Sequence, residues 1–332
     1  MFRRKMSSLF LVVSLVSFCS ALRAGDEPVQ LTRHGNEIVV SIGGKPFSTY
    51  YFTPDVAKPY FQPLRSARGT IVTRGFPIFN EVPAAHEHDP SLEPHQRPMY
   101  FAHGDINGYD FWGEAVFRKY YGSEAKSHYG RTVFRKLDEM RGGPDAGTLR
   151  ATFDLAGPDG KAFAEETQSY TFRGDKRSRI IDCEFTLRAN HAPVKIGDTK
   201  EGTFAIRVAP ELTEPGVHML NSNGQVGEKE IWGKKADWVD YSATVAGEKL
   251  GIAIFDNPKN LRHPSTWHAR GYGLFAVNPF GESYFYRDPK RDGSVTIEPG
   301  RSLTLRYRVF IHHGDASEAR VAEAFHLYAS EK

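Results

Sequence analysis

The residues of this chain best suited to chemistry lie in two stretches far apart along it, His95 and His103 in one and His268, Arg270 and Tyr272 in the other. The second group falls at alternate positions. If Trp267 to Tyr272 is extended, these three side chains point to one face and Trp267 points to the other. An imidazole, a guanidinium and a phenol on one wall supply a proton carrier, a fixed cation and a second acid or base. That set suits an anionic or hydroxyl-rich substrate. The surroundings agree: residues 74–114 hold four histidines, His86, His88, His95 and His103, among acids and aromatic rings, a composition typical of loops that present a ligand site. Candidate substrate contacts are Arg97, Asp105, Asn107, Asp110 and Trp112 from this stretch, then Lys200, Trp267 and Asn278 further on. Trp112 and Trp267 offer faces on which a sugar ring could stack. The blander alternative is that Arg270 and the histidines satisfy buried acids or backbone groups.

No metal ligand set stands out. Asp105, Asn107 and Asp110 lack the later glutamate of a calcium loop, and His86-Glu87-His88 has no specific ligand spacing. The cofactor is therefore left unknown: none is required, although a divalent metal is compatible with the composition. No pair among Asp105, Asp110, Glu114 and Asp240 is singled out for two-carboxylate hydrolysis.

The elements that must position these groups read as strands. Leu149, Ala151, Phe153 and Leu155 alternate with polar residues, and Gly157-Pro158-Asp159-Gly160 makes a turn into the next such run. Ile181, Cys183, Phe185 and Leu187 repeat the alternation, which makes Cys183 a buried structural thiol. One helix is expected near the end, capped by Ser317 and carrying a stripe of Val321, Ala322, Phe325 and Tyr328. The fold class expected is mainly β, a large antiparallel two-sheet β-sandwich with one C-terminal α-helix, in a single domain over 25–332.

Arg3, Arg4 and Lys5 precede an apolar run from Leu9 to Leu22, the layout of a secretory signal peptide over 1–24. Cleavage there would remove Arg23 as well, so 43 basic residues less four leaves 39 against 40 acidic. A near-neutral domain gives no support for nucleic-acid binding, and no later stretch reads as a membrane span. An exported protein, periplasmic or extracellular, with a small-molecule or oligosaccharide partner is expected.

The segments PHQRPMYFAHGDINGYDFW, GDTKEGTFAIRVAP, ADWVDYSA and FDNPKNLRHPSTWHARGYGLFAVNPFG resemble the bacterial PmoA-like family. The resemblance implies a secreted β-sandwich protein from bacteria rich in polysaccharide-degrading systems, hence carbohydrate. Its oxygenase label fits poorly, because particulate methane monooxygenase subunits of that name are integral membrane proteins. Where the family carries Asp-His-Pro-His-His-Arg-Gly, this chain reads Leu92 to Pro98, with Gln96 in place of a histidine. The leading expectation is a carbohydrate-active enzyme of lyase, epimerase or hydrolase type, with its site in a cleft at one end of the sandwich. The alternatives are a non-catalytic glycan-binding protein and a metal-dependent oxidoreductase.

Overall fold

A computed structural model describes residues 26–75, 93, 95–116 and 128–331. The leader assigned to 1–24, His86 and His88 lie outside the described residues.

Alternating apolar residues build two eight-stranded antiparallel sheets. The first has the order β1 (Val29–His34), β2 (Glu37–Ile42), β3 (Lys45–Tyr51), β4 (Tyr60–Gln62), β5 (Met99–His103), β11 (Gly202–Arg207), β16 (Leu274–Asn278) and β15 (Thr266–Ala269). The second runs β12 (His218–Asn221), β13 (Trp238–Val245), β14 (Glu248–Asp256), β18 (Ser302–His313), β9 (Ser178–Arg188), β8 (Ala162–Gly174), β7 (Gly147–Ala156) and β6 (Arg131–Arg141). A short ribbon of β10 (Val194–Ile196) and β17 (Val295–Ile297) completes the strands. The two-sheet reading of the sequence is what the chain adopts, and the Gly157–Gly160 turn joins β7 to β8 as expected, closed by Gly160 N–H donating to the Gly157 carbonyl at 2.9 Å.

Face-to-face packing follows from the period of two, since the inner face of each sheet carries the apolar set. Aromatic pairs lock the two layers together. Phe101 stacks on Phe185 with ring centroids 4.1 Å apart, Phe204 on Tyr307 at 5.2 Å, and Phe275 on Tyr241 at 4.5 Å. Cys183 sits in this layer, buried and unbridged, as its alternation indicated.

The C-terminal helix, α3 (Val321–Ser330), starts later than the sequence suggested. Ser317 does not cap it. The residue before the helix is Arg320, in the left-handed region at φ 55°, while the Ser317 N–H donates to Asp315 in the preceding turn. Val321, Phe325 and Tyr328 are buried against Trp238, Ala253 and Phe255 on the outer face of the second sheet, whereas Ala322 is exposed. Two single-turn helices, α1 (Glu228–Ile231) and α2 (Glu282–Phe285), were not foreseen. Among the described residues, no helix is long and apolar enough to cross a membrane.

One inner-facing side chain breaks the pattern. Glu166 on β8 is fully buried between Phe153 and Leu187, its strand neighbours, and accepts a hydrogen bond from Gln168 at 2.5 Å. Burial pushes its pKa from 4.5 up to about 8, so the folded protein holds a proton that the unfolded chain releases. For an acid shifted upward, this contribution to stability is complete below pH 4.5 and is lost as pH rises to about 8. Urea unfolding of wild type and Glu166→Gln across that window should show the wild type losing, relative to the variant, about 1.4 kcal/mol per pH unit. A constant difference between the two proteins would show that Glu166 is ionised in the native state.

Candidate functional site

Strand register places one expected site residue, His268, in a row of side chains on the outer face of the first sheet. Directly paired positions run Tyr51 with Tyr60, Tyr60 with Tyr100, Tyr100 with Ala205, Ala205 with Ala276, and Ala276 with His268. Paired residues in an antiparallel ladder share a face, so these six form one row across six strands. Three strand spacings, about 14 Å, separate Tyr100 from His268. The two alanines between them are fully buried, clustered with Tyr60, Tyr100, Trp112 and Leu274.

At the Tyr100 end the polar groups are buried. Arg97 grips Glu114 through two hydrogen bonds of 2.8 and 2.6 Å, and Lys58 approaches the same carboxylate at 3.0 Å. Burial would raise the pKa of Glu114, but the two cations hold it at about 2. It is therefore a fixed anion and no source of protons at neutral pH. Lys58 also donates to the Trp112 carbonyl at 2.5 Å and lies 4.9 Å from the Tyr100 ring, while the Arg97 guanidinium sits 4.8 Å from the Tyr60 ring. His95 is buried beside Trp112, with ring centroids 6.5 Å apart. Its burial, and then the charge of Lys58, push its pKa well below the usual imidazole range. Asp110 accepts hydrogen bonds from the N–H groups of Trp112 and Gly113, both at 2.9 Å, and so shapes the turn that places the indole.

At the other end, β15 and β16 are joined by a tight turn over Arg270–Gly273, closed by a 2.9 Å hydrogen bond from Gly273 N–H to the Arg270 carbonyl. Gly273 has φ 101°, a conformation that suits glycine. His268 thus lies on the strand and Arg270 and Tyr272 on the turn, so the run is not extended throughout. His268 Nδ1 is 3.1 Å from the Lys200 carbonyl. A carbonyl only accepts, so Nδ1 carries the hydrogen and Nε2 keeps its lone pair. Burial, followed by the charges of Lys200 and Arg270, lowers the His268 pKa to about 3. Asn278 donates to the carbonyls of Thr199 and Lys200 at 2.9 and 3.0 Å, which fixes the group that orients His268. Arg270 pairs with Glu228 at 2.9 Å and lies 5.3 Å from the Tyr272 ring.

Gln96 ties the two ends together. Its Nε2 donates to the Tyr272 hydroxyl at 3.3 Å, and its Oε1 accepts from Arg207 at 3.2 Å. Arg207 in turn stacks on Tyr272 at 4.5 Å. Burial raises the Tyr272 pKa, so the phenol keeps its proton at neutral pH. The residue that stands where the PmoA-like family carries a histidine therefore joins the His95 stretch to the His268 wall. His268, Tyr100 and the alanines between them lie on the outer face of the first sheet, on the consecutive strands β5, β11, β16 and β15.

Other candidates are placed elsewhere. His103 shares the inward parity of Met99 and Phe101, packs on Phe280 at 5.1 Å, and bonds to the Gly197 carbonyl at 2.7 Å. Trp267 is fully buried on the inner face, donating to the Ala236 carbonyl at 2.9 Å, and has no exposed face for stacking. Asp105 and Asn107 build a turn, accepting from Gly108 N–H at 2.8 Å and Lys195 N–H at 2.7 Å. Lys200 is ion-paired to Glu201. Among the described residues, no three His, Cys, Asp or Glu side chains converge to hold a metal. The sequence reading missed Gln96, Arg207 and a cleft next to Arg270 whose walls include Trp232 and Tyr284.

The chain belongs to the family of unknown function DUF6807, whose model matches residues 37–326. This corrects the resemblance to the PmoA-like family. No curated protein matches significantly. Solved structures similar to the chain include a galactose mutarotase-like protein from Clostridium acetobutylicum, 10% identical, covering 87% of this chain and 99% of that one at a TM-score of 0.39. A second such protein, from Lactobacillus casei, is 12% identical, with 86% and 100% covered at a TM-score of 0.34. A GH36 alpha-galactosidase from Geobacillus stearothermophilus is 12% identical, and the match covers 87% of this chain but only 42% of the enzyme, at a TM-score of 0.40. Nothing in the chemistry of the site follows from these likenesses.

The Arg97–Glu114–Lys58 cluster is the structural anchor of the site. Glu114→Ala would leave two cations buried without their shared carboxylate and should destabilise the protein by about 3–5 kcal/mol in urea unfolding. A loss below about 1 kcal/mol would mean that water reaches the cluster.

Proposed function

We propose that this protein is an exported carbohydrate-active enzyme that moves protons on a sugar held against the outer face of the first sheet. In this reading His268 is the base and Tyr272 the acid, with Arg270 between them steadying a hydroxyl or carboxylate. The observation that carries it is the pair of opposite protonation states on one wall: a neutral imidazole with a free Nε2 lone pair beside a phenol that retains its proton. Proton removal by one group and return by the other is the chemistry of an epimerase or a lyase. Glu114, clamped as an anion, does not fit the general acid of a two-carboxylate hydrolase. The exported setting is supported by the basic and then apolar start of the chain. A non-catalytic glycan-binding protein is the second reading, supported by the exposed ring of Tyr284.

Incubation with a panel of polysaccharides and oligosaccharides, with products followed by mass spectrometry, should identify a substrate. His268→Ala should then lower turnover by about 10²–10⁴-fold. Because His268 titrates near 3, the acid limb of kcat/KM should lie near pH 3 and not near the ordinary imidazole value of 6.5. Saturable binding with ligand recovered unchanged would favour the binding protein. Turnover unaffected by both His268→Ala and Arg270→Ala would remove this wall from the mechanism.

A further inference from the structure

Next to the proton-transfer wall, a cleft of about 660 Å³ opens between α1 and α2. The proton-transfer reading makes no use of this space. Its walls include Glu228, Lys229, Trp232, Arg270, Tyr284 and Arg287, so three cations face it against one carboxylate. That carboxylate is already engaged, by Arg270 at 2.9 Å and by the Gly271 N–H at 2.6 Å. Lys229 and Arg287 are exposed and have no acidic partner among the described residues. Arg287 also holds φ 52°, a left-handed conformation unusual for a residue with a side chain, two residues beyond the last of α2.

The aromatic groups are arranged for a ring-shaped ligand. Trp232 meets Tyr284 edge to face at 6.2 Å, and Tyr284 is 48% exposed. Trp232 also meets the His268 ring at 6.4 Å, so the cleft and the proton carrier share a wall. Stacking surfaces beside unpaired cations accommodate a sugar ring bearing a negative charge, whereas a neutral sugar would leave Lys229 and Arg287 without use.

We propose that this cleft is a subsite for an anionic sugar unit, so that the substrate is an acidic oligosaccharide or polysaccharide whose unit beside the reacting one carries a carboxylate or sulfate. Arg287 and Lys229 take the charge, and Trp232 and Tyr284 hold the ring. The inference rests on the carbohydrate reading above and names the class of glycan.

Calorimetric titration of the protein with three tetrasaccharide sets tests it: uronic acids, their carboxyl-reduced neutral counterparts, and sulfated neutral sugars. One of the anionic sets should bind at least about tenfold more tightly than the neutral set, a preference of about 1.4 kcal/mol. The tighter anionic set identifies carboxylate or sulfate as the group read. The preference should shrink as salt is raised, and should vanish in Arg287→Ala combined with Lys229→Ala. Lys229→Glu, on an exposed turn of α1, should act in the same direction, with melting curves confirming that each variant is folded. Equal affinity for neutral and anionic sets, or a preference that survives the double variant, would overturn the proposal. If the neutral set binds as well and is turned over through His268, only the anionic subsite falls. If no glycan of any set binds, the carbohydrate reading falls with it.

Discussion

Backbone pairing among β5, β11, β16 and β15 is the constraint on which the site depends. Side chains in a strand alternate between faces, so a slip of one residue at any of these ladders would send His268 or Tyr100 into the core and bring Trp267 or Phe101 to the surface. The aromatic stacks between the sheets oppose such a slip. Phe101 on Phe185, Phe204 on Tyr307 and Phe275 on Tyr241 each fix the inward phase of one of the strands that carries the row. The outward phase follows without further specification. Residues more than 160 positions apart in the chain are thereby held on one surface by the same interactions that stabilise the fold.

Charge is distributed along that surface by burial. At one end Glu114 is held ionised by Arg97 and Lys58, which makes a rigid electrostatic anchor under Tyr60, Tyr100 and Trp112. At the other, the imidazole of His268 is deprived of its proton by its surroundings while the phenol of Tyr272 keeps its own. The titratable groups differ in role because their neighbours differ. A supporting layer maintains this arrangement: Asn278 fixes the Lys200 carbonyl, which sets the tautomer of His268, and Gln96 and Arg207 fix Tyr272. Sites held in this way rest on strands and buried hydrogen bonds and not on loop conformation alone.

The architecture was legible in the sequence because half-buried strands write their two faces into alternate residues. The same alternation placed Trp267 and His268 on opposite faces, and it also contained the position of His103, since Met99, Phe101 and His103 alternate with Tyr100 and Ala102. What alternation does not encode is partner choice. Asp105, Asn107 and Asp110 looked like ligand groups, yet short polar side chains beside glycine serve equally to satisfy turn N–H groups, as all three do here. Gln96 carried no signal of its own, because its importance comes from Tyr272 and Arg207, distant in the chain. The cleft was hidden for a different reason: α1 and α2 are single turns, too short to show a helical period, and their side chains meet only after folding.

A sandwich has four sheet faces, and they are covered in different ways here. The two inner faces are consumed by the core. The outer face of the second sheet is covered in part by α3, whose Val321, Phe325 and Tyr328 seal Trp238, Ala253 and Phe255. The outer face of the first sheet is different in composition, since tyrosines, small alanines, a histidine and asparagine occupy positions that a covering helix would fill with larger apolar groups. That face is nevertheless covered by the chain itself, since Tyr60, Tyr100, Ala205, Ala276 and Trp112 are buried together in one small cluster. Polar groups placed there must find partners, and they find them within the chain: Arg97 and Lys58 at Glu114, Asn278 at the Thr199 and Lys200 carbonyls, Tyr272 at Gln96 and Arg207.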